Sequence, residues 1–115
     1  MDTSKPIDQL IGRVMSALGF TRADLAAALD VTERSIARWQ AGKSYPQYES
    51  RARLDELDAL GRHLARSFGN QAETLAWMNQ PNDDLLGQTP TAALREDRIG
   101  AVERALTALD RAPVR

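Results

Sequence analysis

An all-α fold is predicted for this 115-residue chain by three observations. Apolar side chains recur every three or four positions along most of its length, strand-type alternation is nearly absent, and Ala and Leu dominate a composition that is 43% hydrophobic and 5% aromatic. A chain this long holds one domain, or two small helical units sharing a core.

The first element is an amphipathic helix carrying Ile7, Leu10, Ile11, Val14, Met15 and Leu18, with Gly19 as its stop. Thr21 then caps a short helix whose Leu25, Ala26 and Leu29 point inward, and Asp30 sits where a left-handed residue is needed to turn the chain. Val31 fills that corner. Thr32 caps the next helix, Glu33 suits its dipole, and Gly42 with Pro46 ends it.

At 100° per residue Ile36 and Trp39 share one face of this last helix, while Arg34, Ala37 and Arg38 share the other. The first pair packs on Leu25, Leu29 and Val31. The two arginines stay outside, with a small residue between them that permits close approach to a groove floor. Thr32, Arg34, Ser35, Arg38 and Lys43 are therefore the candidate DNA-binding residues: arginine for guanine edges, the others for phosphates or base edges. Two arginines alone would read as solvated charge, but caps, turn, apolar spacing and terminator all fall in register.

The run Leu25-Ala26, Leu29, Val31-Thr32, Ile36, Arg38-Trp39, Gly42 and Pro46 resembles the Xre/Cro-type helix-turn-helix family over about a third of the chain. It departs from that pattern at Asp30, where the family usually has Gly.

From Lys43 to Gln47 a loop leads to Ser50, expected as the cap of a long helix bearing Leu54, Leu57, Leu60, Leu64 and Phe68 and closed by Gly69-Asn70. Its opposite face shows Arg51 with Asp55 and Asp58 with Arg62, which reads as a solvated charge run. Ala72, Leu75, Ala76 and Met78 mark a further helix stopped by Pro81, with Trp77 expected as a core anchor. Asp83-Asp84 suits the start of a short helix better than paired acid-base catalysis, since no nucleophile or base accompanies it. Thr89-Pro90 is a cap with proline at the first helical position, leading to Leu94. Ile99, Val102, Leu106 and Leu109 form the last helix.

A second resemblance covers this region. Phe68-Gly69-Asn70, Ala76-Trp77-Met78, Pro81-Asn82, Leu86-Gly87-Gln88-Thr89-Pro90, Leu94, Gly100, Val102 and Leu106 are similar to the toxin-binding domain of Xre/MbcA/ParS-type antitoxins. The resemblance implies a helix-turn-helix domain over 1–49, then a long connecting helix and a small helical toxin-binding domain over 50–115. It also implies a partner: a RES-domain toxin that destroys NAD, held inactive by a non-enzymatic antitoxin that represses its own operon. Relatives commonly end in an aliphatic stretch containing Gly, whereas this chain ends Arg111-Ala112-Pro113-Val114-Arg115. Arg111, Val114 and Arg115 are accordingly the candidate toxin-binding residues, against the alternative of a frayed terminus.

Composition narrows the rest. There is no cysteine and one histidine, so thiolate sites, disulfides and histidine metal clusters are excluded and no cofactor is expected; His63 is given no role. Without a membrane-length apolar run or a signal segment, the expected location is the cytoplasm. A net charge of −1 cannot hold nucleic acid by bulk attraction. Basic and acidic side chains balance over residues 1–50, while acids outnumber bases over 71–115. Operator binding then calls for a homodimer on two half-sites ~34 Å apart. The competing reading is a stand-alone helix-turn-helix repressor whose C-terminal half only dimerises.

Overall fold

Side-chain caps start several helices of this chain, and packing decides how the helices meet. The computed structural model describes residues 5–112. Over them seven α-helices follow in order: α1 (Lys5–Leu18), α2 (Arg22–Leu29), α3 (Glu33–Gln40), α4 (Tyr48–Ser67), α5 (Gln71–Met78), α6 (Pro90–Arg95) and α7 (Ile99–Asp110), with a 3-10 turn at Asp83–Leu85 before α6.

The front three helices are set by local chemistry. Gly19, at φ 66°, lets the chain reverse so that the Phe20 amide bonds Met15 O at 2.9 Å and its ring returns to the core. Thr21 and Asp24 form a reciprocal capping box: the Asp24 amide donates to Thr21 Oγ1 at 3.1 Å, and the Thr21 amide donates to Asp24 Oδ2 at 2.9 Å. Asp30 adopts the left-handed conformation at φ 56°, as the turn requires. Thr32 Oγ1 accepts the Ser35 amide at 3.1 Å and starts α3.

The long helix departs from expectation at both ends. α4 begins at Tyr48 behind Gln47, which makes no side-chain cap bond, so Ser50 lies inside the first turn and caps nothing. At the other end Phe68 is already extended, and Asn70 instead caps α5 by accepting the Glu73 amide at 2.9 Å. With 20 residues α4 is about 30 Å long, and it packs against α1 on one side and α7 on the other. A β-carbon on Gly61 would stand 2.9 Å from that of Ala17, so the bare backbone there is what allows α1 and α4 to approach.

Asp58 is more than part of a solvated run. It receives Arg62 at 2.5 Å and Arg13 of α1 at 3.5 Å, with its side chain only 14% exposed. Beyond α5, Asn82 Oδ1 accepts the Asp84 amide at 2.9 Å to start the 3-10 turn, and Thr89 Oγ1 accepts the Ala92 amide at 3.0 Å with Pro90 at the head of α6. Ala72, Ala76 and Leu109 are exposed rather than inward, because α5 and the end of α7 lie at the rim of the bundle.

Buried side chains from every helix form one cluster, running from Ile11 and Leu25 through Leu54 and Leu60 to Leu94 and Leu106. α2 packs on α6, which ties the front of the molecule to its back.

Candidate nucleic-acid interface and partner-binding face

α3 carries its two jobs on opposite sides. Ile36 and Trp39 are buried, while Arg34 and Arg38, about 6 Å apart along the axis, are exposed. Among the described residues neither guanidinium pairs with a carboxylate, nor does Lys43. Thr32 and Ser35 are engaged with one another: the Thr32 hydroxyl also donates to Ser35 Oγ at 3.1 Å, leaving the Ser35 proton as the one able to donate outward. Arg22 donates to Gln40 Oε1 at 3.0 Å and braces the start of α2 against the end of α3. The candidate DNA-binding residues thus lie on α3 or beside its ends, with Thr32, Arg34, Arg38 and Lys43 exposed and Ser35 partly buried, on a scaffold that is capped and packed. Two exposed tyrosines, Tyr45 and Tyr48, follow Lys43 and were not among the candidate residues read from the sequence.

Among the described residues no set of three His, Asp or Glu side chains could hold a metal ion. An open groove of about 710 Å³ is lined by α1, α4 and the start of α5, and its carboxylate, Asp58, is held by Arg13 and Arg62. No described helix is long and apolar enough to cross a membrane.

His63 has a part that spacing did not reveal. Its Nδ1 lies 3.0 Å from Glu103 Oε2 and its Nε2 2.7 Å from Asp110 Oδ2, so one imidazole on α4 bridges two carboxylates on α7. Both contacts are satisfied as donors only by the imidazolium. The Asp110 bond is the main influence raising the His63 pKa above its ordinary value; burial opposes it and Glu103 adds to it. Asp110 is in turn held below the usual carboxylate range, first by the Ser67 hydroxyl at 2.7 Å and then by His63.

Of the candidate toxin-binding residues, Arg111 is the exposed C-cap of α7, one residue past the Asp110 anchor. Val114 and Arg115 lie outside the described residues. Trp77 is half-buried and packs on the core with its ring 6.0 Å from that of Phe68, in a tilted arrangement.

The loop between the 3-10 turn and α6 is closed on itself. The Asn82 amide donates to Gln88 O at 3.0 Å, the Gly87 amide to Asn82 O at 2.9 Å, and the Gln88 amide to Leu85 O at 3.1 Å. Gln88 is fixed from outside as well, donating to Glu96 at 2.5 Å and accepting from Arg98.

Comparison with known proteins places this architecture. The sequence profile of the antitoxin Xre/MbcA/ParS C-terminal toxin-binding domain matches residues 63–111. The mycobacterial cidal antitoxin MbcA of Mycobacterium tuberculosis is 33% identical over 104 residues, spanning 87% of this chain and 85% of that protein. A probable mycobacterial cidal antitoxin of the same organism is 30% identical over 94 residues, spanning 79% and 76%. Among solved structures, a chain of the M. tuberculosis MbcT–MbcA toxin–antitoxin complex superposes with a TM-score of 0.69 at 27% identity, covering 90% of this chain and 92% of that one.

Proposed function

This chain belongs to the Xre/MbcA/ParS antitoxin family, and from that premise we propose that it binds and neutralises a RES-domain, NAD-degrading toxin and represses its own operon. The observation that carries the first half is the likeness, across nine-tenths of the chain, to a protein solved in a toxin–antitoxin complex. Residues 50–115 supply the toxin-binding part in this reading, with Arg111, Val114 and Arg115 reaching the toxin.

Repression rests on residues 1–49. Arg34 and Arg38 stand exposed, without carboxylate partners among the described residues, on a helix that follows a tight turn, which is the presentation a major groove requires. A net charge of −1 leaves a single copy with few phosphate contacts, so the operator-bound species is a homodimer that also joins a hetero-oligomeric complex with toxin. The protein works in the cytoplasm, without cofactor and without chemistry of its own.

The test is a gel-shift titration of the DNA upstream of the reading frame, with and without the neighbouring RES-type protein, beside a growth assay of that protein expressed alone and together with this chain. A specific shift and growth rescued by co-expression are the expected results. A shift without rescue would favour the stand-alone repressor; rescue without a shift would remove the repressor half.

A further inference from the structure

Among the described residues three non-glycine positions have positive φ: Asp30, Leu86 and Asp97. Aspartate tolerates that region because its short polar side chain bonds locally. Leucine does not. Leu86, at φ 57° and ψ 34°, places its β-carbon against its own carbonyl, and the side chain recovers nothing inside the molecule because it is 90% exposed. Leu85 beside it is fully buried, so the turn spends its one core contact there.

The conformation is held firmly. Asn82, Leu85, Gly87 and Gln88 close the loop through main-chain bonds, and Glu96 and Arg98 clamp Gln88. An apolar knob is thus presented, already ordered, on a frame that loses little freedom when something covers it. Asp83 and Asp84, both exposed, flank it with negative charge.

We propose that Leu86 is an anchor for the toxin, seated in an apolar socket whose rim carries cationic side chains. The occupant follows from position: the loop lies within residues 63–111, the segment matched by the toxin-binding-domain profile. This assignment rests on the toxin-binding reading above. It adds to that reading a contact separate from the C-terminal tail.

The experiment compares full-length wild type, Leu86→Asn and Leu86→Met. It measures dissociation from the immobilised toxin of the neighbouring reading frame, thermal unfolding, and self-association by sedimentation. Asn accepts the left-handed conformation, so the Tm of Leu86→Asn stays level or rises while toxin affinity falls about tenfold or more. Leu86→Met, apolar and of similar volume, keeps most of the affinity. Unchanged affinity in Leu86→Asn overturns the proposal, as does a loss of affinity that merely follows a fall in Tm. A shift in self-association with toxin affinity intact overturns it too, and assigns the knob to a second copy of this chain. If wild type itself fails to hold the toxin, the toxin-binding reading falls, and this one with it.

Discussion

Arg95 Nη1 stands 2.6 Å from Asp24 Oδ1, an ion pair that spans 71 residues of sequence and fastens α6 to α2. Asp24 already serves the α2 capping box, so one carboxylate starts the helix before the turn and receives the helix that follows Thr89. Nearby, Arg53 of α4 donates to Leu29 O at 3.2 Å and pairs with Asp97 at 3.1 Å, stitching the end of α2 to the α6–α7 corner.

The first prediction concerns that pair. A double-mutant cycle of Asp24→Ala and Arg95→Ala gives a coupling energy of about 0.5–1 kcal/mol, modest because Arg95 is 45% exposed. Burial raises the Asp24 pKa, but the Thr21 amide, Arg95 and the Thr21 hydroxyl outweigh it and set the net value below the ordinary one. The stabilisation is complete above the unfolded-state pKa, ~3.9, and fades as pH falls through the lower folded value. Acid unfolding curves of Asp24→Ala therefore lose less stability below pH ~4 than those of wild type.

His63 has the opposite sign. Its pKa is raised in the folded state, so the α4–α7 bridge contributes fully below the unfolded value, ~6.5, and is lost as pH climbs through the folded one. Wild type should melt at a higher temperature at pH 6 than at pH 9, and His63→Gln should flatten that difference. A pH response unchanged in the variant would remove the bridge as its cause.

Tail truncation needs to respect Asp110. A chain ending at Leu109 loses the anchor that His63 and Ser67 hold, and its weakened toxin capture would reflect a loosened α7. Ending the chain at Asp110 keeps that anchor and removes residues 111–115, with Arg111, Val114 and Arg115 among them. That variant should keep the wild-type Tm within a degree or two and bind toxin more weakly, as measured by calorimetry.

Replacing Arg34 and Arg38 with Ala should weaken operator binding ~30-fold or more, taking each base contact at about 1–3 kcal/mol. Both side chains are exposed, so Tm and toxin capture should not change. A gel shift and a toxin pull-down on the same preparation check the two halves together.

Gly61→Val should destabilise by about 1–3 kcal/mol, because the new side chain meets Ala17 before α1 and α4 can close. Ala17→Gly should restore part of it. Urea unfolding of the two single variants and the double variant measures this.

Much of the fold was legible because it is written locally. Thr21, Thr32 and Thr89 each satisfy an amide three residues ahead, and the apolar spacing of Leu25, Leu29, Ile36 and Trp39 tells which side faces in. The start of α4 was not legible, since Gln47 makes no cap bond and Ser50 looks like a better one. The exposed arginine face of α3 was legible for the same reason as its buried face. The His63 bridge was hidden, because its partners lie 40 and 47 residues away and no short pattern joins them. Leu86 was hidden for another reason: it matched a motif, but nothing in the motif tells that a leucine there takes a glycine's conformation.

The continuous cluster from Ile11 to Leu106 has a bearing on turnover in the cell. With α2 on α6 and α4 under both ends, the two halves, to which we assign operator reading and toxin binding as a proposal, should unravel in one cooperative step. A protease that waits for that step destroys both halves at once, so under the proposed function promoter derepression and toxin release would share a single clock.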